Sequence, residues 1–175
     1  KRKNCKFLKQ ECEDKIMPLS STVLEQELSK FMDPESAAFD AAPKSGAEFA
    51  QKFSSAINTY ASSIVPPSTT LSAAQAALQG NLMTVGPPPG MLFPVAITTG
   101  MAAYATALVP GMLPAFAAVP PVAPLGPLIL AAVMPLGMGG ASEAACVTAL
   151  ASTIDGWFKT GTAVNTASGA TIPWS

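Results

Sequence analysis

"INTYASSIVPP", Ile57 to Pro67, ends an apolar run on two prolines, and "MAAYATALVPG", Met101 to Gly111, repeats nearly the same phrase. The correspondence extends backwards. Phe53 matches Ile97, Ile57 matches Met101, Tyr60 matches Tyr104, Ile64 matches Leu108, and Val65-Pro66 matches Val109-Pro110. A weaker third copy lies in "ALASTIDGWFKTG", where Leu150, Ile154 and Trp157 take the three leading positions and Gly161 stands as the stop. Steps of three and four residues put these side chains on one face of a helix. The repeated phrase is therefore a helix face, used two or three times.

Each of the first two copies is followed by a second helical segment, "TLSAAQAALQGNLMTV" and the shorter "PLGPLILAAVMPLG". Helix, proline turn, helix is a hairpin that cannot bury its face alone. So few and irregular copies predict a compact bundle rather than an open solenoid. Ahead of them, "TVLEQELSKFM" reads as a helix, with Thr22 and Glu25 as a capping box and Leu24, Leu28 and Phe31 on one face. Ser45 and Glu48 form a second box before Phe49, and Ser142 caps a helix beginning at Glu143. "GPPPG" (86–90) and "VPPVAPLGP" (119–127) read as stiff extended connections. The ending "TAVNTASGATIPWS" predicts two short strands, Thr162–Val164 and Ala170–Ile172, around a Ser168-Gly169 turn. An isolated hairpin is marginal in water, so it needs a further sheet edge, in this chain or another subunit. The expected fold is mainly α: a compact bundle of helical hairpins with Pro-rich linkers and a short C-terminal β-hairpin. The expected divisions are a basic extension at 1–16, a helical domain at 17–161 with repeats at about 46–90 and 91–140, and a tail at 162–175. "CEDKIM", encodable as a purine-rich run before Met17, suggests that the extension is translated upstream sequence or an appended tail.

Charge separates function classes. Hydrophobic residues make up 49% of the 175, charged residues only 12%, and the net charge is −1. That leaves no overall field to steer nucleic acid. The basic residues crowd into Lys1–Lys15, and from Phe53 to Ser142 there is no charged residue at all. A soluble monomer normally covers itself with mixed charges. A long uncharged stretch points to an outer surface that meets protein copies or lipid instead of water.

Catalytic chemistry finds little to use. There is no histidine, which removes the commonest general base and metal ligand. Cys5, Cys12 and Cys146 have neither disulfide-framework nor zinc spacing. "GMGGASE" lacks the Gly-Lys-Ser/Thr of a phosphate loop. Glu143 and Asp155 are three turns apart with no partner in the uncharged centre, while Asp155 and Lys159 suit a surface ion pair. No catalytic residue, cofactor or metal is expected. Tyr60, Tyr104 and Trp157 read first as packing residues on the repeated face. Together with Ile172 and Trp174 they are also the expected subunit contacts, Trp174 as an anchor in a partner's pocket.

The opening "MPLSSTVLEQELSKFMDP" and the ending "IDGWFKTGTAVNTASGATIPWS" resemble small virion structural proteins of tailed bacteriophages. In these a helix ending in a "KTGT" stretch runs into a strand-forming tail. The resemblance implies a non-enzymatic, self-associating part of a tail, baseplate, neck or capsid, located in the virion and assembled in the bacterial cytoplasm with other virion proteins. Two alternatives stand beside it. One is a membrane-inserted protein such as a holin-like pore, because Phe93–Val119 is long enough to span a bilayer. The other is a soluble adaptor presenting the PxxP spacings of 119–127.

Overall fold

The computed structural model describes residues 19–83 and 93–175. The basic extension, Cys5, Cys12 and the "GPPPG" linker lie outside these residues. The elements are α1 (Ser21–Met32), α2 (Gly46–Ala61), α3 (Leu71–Met83), α4 (Phe93–Leu108), a 3-10 turn (Val109–Met112), β1 (Phe116–Val119), α5 (Leu125–Gly137), α6 (Glu143–Phe158), β2 (Thr162–Asn165) and β3 (Thr171–Pro173). Each helix packs on the next in sequence and α6 returns to α1, so the six close into a ring. The mainly helical bundle with a short C-terminal sheet is as the periodicity predicts.

The repeated face is the inside of that ring. Phe53, Ile97 and Leu150 are fully buried, as are Ile57, Met101 and Ile154. Tyr60 and Tyr104 follow at 0% exposure and Trp157 at 4%. These residues belong to alternate helices, α2, α4 and α6, whose C-terminal ends meet around Phe158. The Phe158 ring lies 5.7 Å from Tyr60, 6.1 Å from Tyr104 and 5.4 Å from Trp157, all edge to face, and 6.2 Å from Trp174. Edge-to-face contact sets the positive rim of one ring against the negative face of another, adding about 0.5–1.5 kcal/mol per pair to the burial.

Local chemistry fixes the helix ends. Ser45 Oγ accepts from the Glu48 amide at 3.1 Å, and the Glu48 carboxylate accepts from the Lys44 amide at 2.8 Å. Ser142 Oγ accepts from Ala145 N at 3.2 Å. The Thr22–Glu25 box does not form. α1 starts one residue earlier behind Ser20, which makes no side-chain cap, and Glu25 accepts instead from the Thr148 hydroxyl of α6 at 2.6 Å. α2 ends at Ala61, before Pro66 is reached. The Ser62 and Ser63 hydroxyls donate back to the carbonyls of Thr59 and Tyr60, competing with further helix. α3 and α4 approach closely at Gly100, where a Cβ would lie 2.7 Å from Leu78 Cδ1 and that side chain would have to move.

The sheet is larger than the sequence suggests. β2 pairs with β3, and β1 pairs with the other side of β2, Phe116 opposite Asn165 and Val119 opposite Thr162. The edge that the tail hairpin needs is thus supplied by "FAAV" of the same chain. The β2–β3 turn uses Gly169 at φ +72°, with Asn165 Oδ1 accepting from the amides of Ala167 and Ser168. Beyond β3 the chain folds back on the bundle. Trp174 N donates to Gly161 O at 2.9 Å, and Ser175 and Val65 exchange two backbone bonds of 2.7 and 3.1 Å. Gly161 does not stop α6 through a left-handed turn. α6 ends at Phe158, and the glycine makes room, since a Cβ there would sit 2.6 Å from the Trp174 ring.

Truncating the shared ring tests this packing. Phe158→Ala is expected to cost about 3–5 kcal/mol of stability, the range for a buried aromatic with no means of refilling the cavity. Urea denaturation followed by far-UV circular dichroism measures it, and a loss below about 1 kcal/mol would contradict a core centred on Phe158.

Candidate functional site

Four of the five residues expected at subunit contacts turn inward. Tyr60, Tyr104, Trp157 and Trp174 are buried against Phe158, and their polar atoms find partners in this chain. Tyr60 donates to Asp155 Oδ1 at 2.8 Å and Tyr104 to Asn58 Oδ1 at 3.1 Å. Trp157 Nε1 donates to Ala123 O at 2.8 Å and Trp174 Nε1 to Thr162 O at 3.2 Å. Trp174 is fully buried within its own chain, beside Phe158. Ile172 is half-buried on β3 and packs against the same core.

Asp155 is more than a surface ion pair. It is 8% exposed and divides its carboxylate, one oxygen to Tyr60 and the other to Lys159 at 2.7 Å. Burial holds the Tyr60 hydroxyl protonated well above the ordinary tyrosine range, and the bond to Asp155 adds to the effect. Burial alone does the same for Tyr104 and raises the Cys146 thiol. All three groups stay neutral inside the core, and the two tyrosine hydroxyls are hydrogen-bonded there. Among the described residues, no group of three acidic, cysteine or histidine side chains gathers to hold a metal, and every fully buried side-chain polar atom has a partner.

The surface that remains unusual is on α5. Leu125 and Ile129 face inward, at 2% and 0% exposure. On the outer side Leu130 is 47% exposed and Met134 51%, and Met138, in the turn just after the helix, 76%. No residue of α5 carries a charge or a side-chain hydrogen-bonding group. A helix that is apolar all round is normally buried all round; this one has one side in solvent. Beside it, α4 and α5 enclose an apolar groove of about 400 Å³ between Pro94, Val95, Thr98, Gly126, Pro127 and Leu130. Thr98 donates its hydroxyl to the Pro94 carbonyl at 2.7 Å, and both its hydroxyl and its methyl group lie close to Gly126. A second, shallower hollow of about 170 Å³ lies between α1 and α2, with Glu27, Lys30, Asp40 and Lys52 at its rim.

The subunit contacts expected from the sequence include no residue of α5. The signal was present in "PLILAAVM", eight residues without a polar side chain. Comparison with protein-family models, curated proteins and solved structures finds no match for this chain.

The tyrosines make a checkable pair. A tyrosine freed by unfolding ionises near its ordinary 10.0, while both buried hydroxyls stay protonated beyond that. The unfolded chain therefore loses protons first, and the stability these groups carry is complete below about pH 10 and declines as pH rises past it. In an alkaline titration, tyrosinate absorbance is expected to rise in step with loss of helical dichroism. Tyrosinate forming while the helix signal is intact would contradict the buried placement.

Proposed function

We propose that this chain is a non-enzymatic structural subunit of a larger protein assembly, of the virion or phage-tail kind that its two ends resemble, acting through subunit contacts. The observation that carries the reading is α5, apolar on both sides yet packed on one. Leaving Leu130, Met134 and Met138 in water forgoes roughly 0.8 kcal/mol per methylene that a partner surface would recover. Depletion of charge is also what the centres of permanent interfaces show. The unbroken neutrality of residues 53–142 extends that property over much of the chain.

Insertion into a membrane is the second reading, and one segment favours it. Pro94–Met112 is 19 residues long with mean hydropathy 1.3, enough to cross a bilayer by length and composition. Half of it is already buried inside the chain. Ile97, Met101, Tyr104 and Leu108 are core residues, so insertion would dismantle the aromatic cluster. The PxxP reading has less support, because Pro121 is buried and the Ala123 carbonyl is held by Trp157.

A flotation and sedimentation pair separates these readings. Detergent-free lysate of cells making the chain is run on a density gradient and read by immunoblot. The assembly reading predicts a lipid-free species sedimenting well beyond a monomer of 17.8 kDa. Protein floating with lipid would overturn it.

A further inference from the structure

The outer side of α5 asks what covers it, and three features narrow the answer. The first is length. α5 has 13 residues, about 20 Å of helix, against about 30 Å of bilayer hydrocarbon. The second is charge. A helix lying on a lipid surface presents Lys and Arg on its solvent side, and neither occurs from Phe53 to Ser142. Protein is thereby favoured over lipid. The third is complementarity. A charged partner group brought to this face would be desolvated with no counter-charge to meet it, a cost of several kcal/mol per ion. The partner must be as neutral as the face itself.

The chain itself carries one surface of that description: the same face of another copy. Pro127, Leu130, Met134 and Met138 recur at steps of three and four along the outer side, the spacing of a helix–helix seam. Two of these residues, Pro127 and Leu130, also line the α4–α5 groove together with Thr98 and Gly126, where a Cβ on the glycine would come within 3.4 Å of Thr98 Oγ1. Ridge and groove side by side on one face are what a two-fold contact needs, because each copy then offers the ridge to the other's groove.

We propose that the outer face of α5, with the α4–α5 groove, is a self-association surface whose partner is the same face of a second copy of this chain. This rests on the assembly reading above and assigns it a contact. Met134 and Met138 suit the task, since unbranched thioether side chains adapt to an irregular groove.

Sedimentation velocity on the full chain over a concentration series tests it, with Leu130→Glu, Met134→Glu and, on the opposite side of the ring, the exposed Ala38→Glu. The wild type and Ala38→Glu are expected to dimerise in a concentration-dependent way. Leu130→Glu and Met134→Glu are each expected to raise the dissociation constant at least tenfold while keeping wild-type far-UV dichroism and melting. Leu130→Met, which keeps the face apolar, is expected to retain the dimer. If Leu130→Glu and Met134→Glu associate like the wild type, this surface is wrong while the assembly reading survives. A wild-type chain that stays monomeric throughout also overturns the contact. Binding of the wild type to neutral phosphatidylcholine vesicles, lost in Leu130→Glu, would overturn both.

Discussion

The fold depends on one shared ring. Phe158 ends α6 at the point where α2 and α4 also end, and Tyr60, Tyr104, Trp157 and Trp174 close on it from four directions. Three helices far apart in sequence thus take their register from one side chain. The hydrogen bonds follow from this position. With its ring against Phe158, Tyr60 reaches Asp155, and Tyr104, packed on the same ring, reaches Asn58. A buried hydroxyl without a partner would cost about 1–3 kcal/mol, so the two bonds select this packing over slipped alternatives. The sheet depends on the same place. Trp174 carries the end of the chain into the cluster, and the Val65–Ser175 pairing fastens it to the loop after α2.

This arrangement decides which surfaces remain for other molecules. Aromatic residues are the usual anchors of protein contacts, and here the conspicuous ones are consumed inside the ring. The surface is left with a neutral helix whose two sides are equally apolar. α5 covers the core with Leu125 and Ile129 and has nothing polar to offer the solvent with the rest. A chain selected as an isolated monomer would gain solubility from one or two lysines on that side. None occurs anywhere in the uncharged centre.

Much of the ring was legible in the sequence. The aligned phrases around Tyr60 and Tyr104 identified the buried face because burial on one side of a helix imposes a three-to-four spacing on the chain itself. The caps at Ser45 and Ser142 were legible for the same reason: donor and acceptor are close in sequence. What depended on distant partners was not. Glu25 stands in a capping pattern but bonds Thr148, more than a hundred residues away. "FAAV" is too short and too closely bounded by prolines to announce a strand, and it becomes one because β2 lies beside it. Tyr60, Tyr104, Trp157 and Trp174 drew attention as subunit contacts, and within this chain each lies against Phe158. The role of α5 was hidden by its uniformity, since a helix apolar on every side has no periodicity to read.

Methionine oxidation followed by mass spectrometry reads out where the subunits meet, because the chain carries methionines both in its core and on the outer side of α5. Met101 and Met112 lie in the core, at 0% and 2% exposure, while Met134 and Met138 lie on the outer side of α5. Oxidation follows solvent access. With dilute chain and with concentrated, assembled chain treated alike, Met101 and Met112 should resist in both. Met134 and Met138 should oxidise readily when dilute and become protected on assembly. Equal oxidation of Met134 and Met138 in both states would contradict the claim that this face is where the subunits meet.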